Sequence, residues 1–203
     1  DIRNMPKVMK QLAVVQFFTW MGMFLMWFYF TVTVANDIFK APNTQSELFA
    51  EGVSWANLCF GFYSGITFLF AFFIPGIAEK IGKKATHAVC LIIGGKGLIF
   101  VGFAPDKYWL LLSMFGVGIA WTSILSMPYS ILAPKLPIEK MGVYMGIFNF
   151  FIVIPEIIAT LGFGWIMLHV LDNNRMSAVM IGGGLLIVAA IAVMFVDDSV
   201  EGA

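Results

Sequence analysis

Residues 176–196 read MSAVMIGGGLLIVAAIAVMFV, twenty-one positions without a charge. A helix rises about 1.5 Å per residue, so this stretch is long enough to cross a hydrocarbon core of about 30 Å. Its apolarity is continuous, whereas a membrane barrel strand alternates over about ten residues. In lipid the helix is then the structure that satisfies every backbone hydrogen bond within one segment. Five further runs precede it, at about 11–35, 52–75, 86–104, 108–133 and 141–169. The composition agrees: 60% of the 203 residues are hydrophobic and 12% charged, about half the charge of a soluble domain. The expected fold is an all-α membrane protein, one six-helix transmembrane domain over residues 1–203.

The charges carry topology. Twelve basic residues balance twelve acidic ones, which leaves no positive field for nucleic acid. Arg3, Lys7, Lys10, Lys80, Lys83, Lys84, Lys135 and Lys140 fall on one side of the expected spans, and Lys40, Lys107 and Arg175 on the other. Basic loops mark the cytoplasmic side, so both termini are expected there. The acidic tail of Asp197, Asp198 and Glu201 weighs little in that rule. Tyr108 and Trp109 open the fourth span as an interfacial belt would. The first run follows three basic residues without a cleavage site, and reads as a retained span rather than a signal peptide. The chain starts at Asp1, so a processed chain or a stretch of a longer one is expected.

Several classes of chemistry lack their residues. Cys59 and Cys90 lie inside apolar runs with no ligand partners in zinc spacing, so neither a disulfide framework nor a metal site is expected. No nucleophile–base pair and no phosphate loop stands out. An enzyme is therefore not expected, nor a cofactor. His87 and His169 read as solvated residues at span ends. Gly61 with Gly65, Gly94, Gly95 and Gly97, Gly116 with Ala120, and Gly182 to Gly184 read as close-packing devices between helices.

The loop after the second span runs Gly76-Ile77-Ala78-Glu79-Lys80-Ile81-Gly82-Lys83-Lys84. It resembles the signature loop of the major facilitator superfamily: glycine, two spacers, an acid, a base, a spacer, glycine, two bases. Here Glu79, Lys80 and Lys83 stand where Asp, Arg and Arg are commoner. Gly76, Glu79, Lys80, Gly82, Lys83 and Lys84 are thereby expected to form a charge latch that breaks when helices move. Three further stretches look like the sucrose-transporter and glycoside–cation symporter branch: Gln16 to Trp20, Ser126 to Tyr129, and Gly142 to Gly146 with Asn149 to Pro155. The resemblance covers the C-terminal six of that family's twelve helices. Plant members follow the proline with glutamine, and this chain has Glu156. The resemblance implies two inverted repeats of three helices, a cavity lined by the first and fourth, and cation-coupled sugar uptake by alternating access.

The residues support a site on their own terms. At about 100° per residue, Asn149, Glu156 and Thr160 fall within about 40° of one another on the fifth helix. Glu156 lies roughly 22 Å into the span by helical rise. A charge at that depth costs about 2.5–3.5 kcal/mol on insertion scales, so it faces a cavity or a partner. Two roles stay open for it: binding sugar hydroxyls or a proton, or half of an ion pair with Lys96. Lys96 is also a candidate for ion coupling, or snorkels along its stem. Pro155 beside Glu156 invites a kink. On the first helix Gln16, Trp20, Met23 and Trp27 share a face. Thr122, Ser126 and Tyr129 share one on the fourth, with Trp121 nearby. A sugar needs hydroxyl partners and an aromatic plate, and apolar pockets with a few placed polar groups supply both.

The expected substrate-binding residues are thus Gln16, Trp20, Asn149, Glu156, Thr122 and Tyr129. The expected function is proton-coupled sugar or glycoside symport in a plasma membrane, the bacterial inner membrane in particular, with a proton or sodium as the partner ion. The expected partner is an N-terminal six-helix half or a second copy. The alternative is a six-helix structural or assembly subunit, or a half-size carrier working as a dimer.

Overall fold

Every apolar run is a helix in the computed structural model, which describes residues 5–197. In chain order they are α1 (Lys7–Thr33), α2 (Glu47–Phe70), α3 (Ile74–Ile81), α4 (Lys83–Phe100), α5 (Trp109–Leu132), α6 (Met141–His169) and α7 (Arg175–Met194). No strand occurs among the described residues. With their terminal turns, six stretches are long and apolar enough to span a bilayer: Lys7–Ile38, Glu47–Phe70, Lys83–Phe103, Trp109–Lys135, Ile138–His169 and Arg175–Met194. The chain is a multi-pass membrane protein. Arg3 of the basic count and Asp198 and Glu201 of the acidic tail lie outside the described residues.

The second span begins five residues earlier than its apolar pattern predicts, for a local reason. Ser46 caps α2 by accepting the Phe49 N–H at 3.2 Å, and Glu47 sits in the first turn, where a carboxylate complements the helix dipole. The chain then breaks at 71–73, and Pro75 near its start favours the short helix α3. The segment expected as a loop is therefore mostly helix. Gly76 lies inside it with open space around it, and only Gly82, at φ +86°, makes the turn into α4. That backbone conformation favours glycine. At the other end of the membrane, α1 passes into a π-helical turn, Val34–Ile38, and ends at Lys40 with φ +57°.

Packing divides the helices into two sets. α4 lies between α5 and α7, and α7 also lies along α1. α2 leans on α5, and α6 leans on α1. Glycine sets the closest approaches. A Cβ on Gly22 or Gly182 would stand 2.6–2.7 Å from the other's carbonyl oxygen, and one on Gly95 would stand 2.7 Å from the Gly183 oxygen. Gly97 similarly faces the Ser113 carbonyl, and Gly94 packs on Ala120. Gly94, Gly95, Gly97, Gly182 and Gly183 pack as the sequence suggests, with Gly22 added by the structure, but Gly61, Gly65 and Gly184 do not: open space surrounds each. α2 buries a different stripe, Gly52, Ala56, Cys59 and Tyr63, which leaves Gly61 and Gly65 on its outer face. α6 buries Tyr144, Phe148, Pro155, Ala159, Phe163 and Met167 and remains one continuous helix through Pro155.

The start of α1 and the residues just after α7 meet on one face. Lys7 pairs with Asp197 at 3.5 Å. The Gln11 amide donates to the Phe195 carbonyl and accepts from the Asp197 N–H, each at 2.9 Å. Lys135 donates to the Asp197 carbonyl at 2.6 Å.

Candidate functional site

Three tryptophans converge where α1 and α5 approach. Trp20 stands 5.5 Å from Trp121 and Trp27 stands 5.2 Å from it, both edge to face, with Trp20 and Trp27 6.3 Å apart. Such arrangements place the positive ring edge on a negative face. Trp27 donates its Nε1–H to the Tyr63 hydroxyl on α2 at 3.3 Å. All three indoles are half-buried, so the cluster keeps an open side. The stretch just before it is polar and orphaned. Gln16 is fully buried with neither amide atom hydrogen-bonded among the described residues, and Thr19 Oγ1 and Trp20 Nε1 are likewise without partners. An unmet buried polar group costs about 1–3 kcal/mol, so a water or a ligand group received at these three side chains would be held favourably.

The other expected residues divide. Tyr129 donates to Asn149 Oδ1 at 3.4 Å, so α5 and α6 bring two of them together. The Tyr129 ring also packs edge-on against Phe148 at 5.3 Å. Glu156 is exposed, and its carboxylate has no hydrogen bond or ion pair among the described residues. It lies one turn from Ala159, which packs with Phe24 beside Trp20 and Trp27. Asn149, Glu156 and Thr160 are all exposed, as one polar face requires. Thr122 behaves differently: it is buried, and its hydroxyl is directed to the Gly118 carbonyl at 2.9 Å and the Thr67 carbonyl at 3.1 Å. Its donor hydrogen thus joins α5 to α2, and its acceptor lone pairs remain.

The pairing of Lys96 with Glu156 is not formed. Lys96 is exposed on α4, whose neighbours are α5 and α7, whereas Glu156 rides on α6 against α1. Helical depth matched the two residues, but the helix order separates them.

Two of the six latch residues border a groove of about 560 Å³ between α2–α3 and α5. Glu79 and Lys83 line it with Thr67, Thr122, Ser126 and Ser130. Lys83 crosses to donate to the Ser130 carbonyl at 2.8 Å. Glu79 and Lys80 are exposed on α3, and Lys84 is partly buried.

His87 departs from expectation. It is fully buried, and its Nδ1 lies 2.7 Å from Ser123 Oγ. The signal was present in the spacing: His87, Leu91, Gly94 and Leu98 recur at three and four residues, which puts His87 on the buried stripe of α4. His169 is exposed and stacks on Trp165, as a span-end residue should. A second aromatic group escaped the sequence reading. The Lys107 ammonium lies 5.0–5.5 Å from the rings of Phe39, Trp55 and Tyr108, while Trp55 Nε1 donates to the Lys107 carbonyl at 2.9 Å. Its residues come from three segments, so no local pattern announces it. Among the described residues no group of three metal-ligating side chains forms.

No protein-family model matches the chain, and no curated protein matches it.

Proposed function

We propose that the chain is one half of an alternating-access carrier for a sugar or glycoside, coupled to a proton or sodium ion. The observation that carries this reading is the half-open Trp20–Trp27–Trp121 cluster at the α1–α5 seam, with unpartnered polar atoms of Gln16, Thr19 and Trp20 along the same helix. Indole faces receive the apolar C–H face of a pyranose, and fixed polar groups receive its hydroxyls. Tyr129 on α5 and Asn149 and Glu156 on α6 extend the polar lining, with Glu156 the ionisable group for coupling.

The packing supports a 3+3 inverted repeat. Exchange α1 with α5, α2 with α6 and α4 with α7, and the order of neighbours returns to itself: α1–α7 becomes α5–α4, α1–α6 becomes α5–α2, and α4–α7 is unchanged. The close contact of Gly22 with Gly182 then corresponds to that of Gly116 with Gly94, while Gly95–Gly183 and Trp27–Trp121 each map onto themselves. Three spans per repeat invert the second relative to the first, as carriers of this architecture require. The exposed faces of α2 and α6 are what a second half would cover, whether an N-terminal six-helix half or another copy. The resemblance to the major facilitator superfamily agrees, and with the basic loops it favours cytoplasmic termini in a plasma membrane.

Proteoliposomes carrying the protein with its second half provide the test. Sugar addition should drive a proton or sodium flux, Trp121→Ala should weaken sugar affinity at least tenfold, and Glu156→Gln should uncouple the ion from the sugar. Sugar movement without any cation flux would remove the symport claim. Unaltered affinity in Trp121→Ala would remove the aromatic platform.

A further inference from the structure

On the face opposite the start of α1, the ends of α1 and α4 and the start of α7 surround a cavity of about 520 Å³. Its lining is unlike the rest of the molecule. Asp37, Lys40 and Arg175 all border it, with Asn173 and Asn174 beside them and Val101, Gly102 and Met176 among its apolar walls. Asp37 stands in the π-helical turn, Lys40 at the left-handed end of that turn, and Asn173 at the left-handed end of the α6 segment. Yet none of Asp37, Lys40 and Arg175 forms an ion pair or hydrogen bond with another among the described residues. Two cations and one carboxylate therefore border one cavity without closing on each other. The helix end is not what remains open, because Asn174 Oδ1 already accepts the Ser177 N–H at 2.9 Å.

The junction of the start of α1 with the residues just after α7 shows what closure looks like. There Lys135 and Gln11 reach Asp197 directly and Lys7 pairs with it, so the charges are consumed within the protein. On the far face the charges stay apart with room between them.

We infer that this cavity is a binding site for a phosphate–ammonium zwitterion of the ethanolamine-phosphate class. Lys40 and Arg175 receive the phosphate; a guanidinium matches two phosphate oxygens at once. Asp37 receives the ammonium. A simple anion would meet Asp37 as a like charge, and a simple cation would meet Lys40 and Arg175, so both signs on one ligand are what the three groups select. The cavity lies where spanning helices end, which is the depth of lipid headgroups. Exposed Phe103 and Val170 border the same end of the bundle and suit acyl chains. The same chemistry is carried by free phosphoethanolamine, and the experiment separates the two sources.

The experiment is native mass spectrometry of the purified, delipidated protein with phosphatidylethanolamine or phosphatidylglycerol, each with and without millimolar phosphoethanolamine. Phosphatidylethanolamine adducts should exceed phosphatidylglycerol adducts at least threefold. Asp37→Asn should abolish that preference while leaving phosphatidylglycerol binding intact or raised. Lys40→Gln, at an exposed loop position where folding is not at issue, should weaken binding of both lipids. Competition by phosphoethanolamine supports the site with a soluble source, and adducts that resist it support the site with a lipid source. Equal adducts from the two lipids, or an Asp37→Asn preference equal to that of the unsubstituted protein, would overturn the inference.

Discussion

The seam between α4 and α7 and the outer face of α2 use the same residue, glycine, to opposite ends. At the seam, Gly95 and Gly183 bring two backbones so close that a Cβ on either would sit 2.5–2.7 Å from the other's carbonyl oxygen. On α2, Gly61 and Gly65 have the small-xxx-small spacing and touch nothing. Spacing alone therefore does not make a packing motif; the motif must lie on the stripe its helix buries. The difference also divides the molecule mechanically. α1, α4, α5 and α7 form a closely fitted block, and α2 and α6 stand against its sides with most of their surface uncovered.

The sharpest way to break this contrast uses adjacent residues. Gly183→Leu drives a side chain into the Gly95 carbonyl and Ile99, which forces backbone apart. Overpacking of that kind costs about 3 kcal/mol or more where backbone must move. Gly184→Leu, one position on, enters open space and should change stability by less than about 0.5 kcal/mol. Thermal unfolding in one detergent compares the two directly. Equal melting points would show that the seam yields, and the block would then not be rigid.

A second test concerns the two histidines. His87→Ala removes a buried ring and leaves Ser123 Oγ without its 2.7 Å partner, for a loss of about 1–3 kcal/mol. His169→Ala, at an exposed span end, should cost well under 1 kcal/mol. The two substitutions have the same chemistry, so the gap between them measures position alone.

These residues also show how far the sequence could be read. The six spans were legible because each is an unbroken apolar run of membrane-crossing length, and burial inside the bundle does not alter that signal. The α1 stripe of Trp20 and Trp27 and the Asn149–Glu156 face were legible too, because each lies along a single helix where periodicity applies. What crosses between helices was not. The Lys96–Glu156 pairing failed because depth along a helix says nothing of which helices are neighbours. The Lys107 cluster and the outer cavity take their residues from separate segments: the first exists only once the end of α1, α2 and the start of α5 meet, the second only once the ends of α1 and α4 meet the start of α7. Thr122 shows a further limit: the sequence puts it on the polar stripe but does not show that its hydroxyl is directed at the carbonyls of Gly118 and Thr67.

Lys107 joins the two sets of helices, since its ammonium is held by rings from the end of α1, from α2 and from the start of α5. Cation–π contacts at partly exposed sites contribute about 0.5–1 kcal/mol. Lys107→Met should therefore lower stability by about 1 kcal/mol, with Lys107→Arg restoring it. Hydrogen exchange at the start of α2 is the readout, because loss of the clasp frees α2 locally without loosening the α4–α7 seam. If exchange rises across the whole molecule instead, α2 is part of the block and the division drawn above is wrong.

The smallest effect is the most informative about the open face. Gly61→Ala and Gly65→Ala place a methyl group where no atom lies within 4 Å. Stability of the isolated protein should change by no more than about 0.5 kcal/mol, with a slight gain from lower backbone entropy in the unfolded chain. A bulkier pair, Gly61→Leu with Gly65→Leu, should leave melting unchanged as well, because lipid or detergent receives those side chains. The same pair should reduce transport if a second half covers this face, since a close helix approach needs the glycines bare. Unchanged melting with impaired transport would place the glycines at a contact between halves. Impaired melting would return them to the core and erase the difference between α2 and the seam.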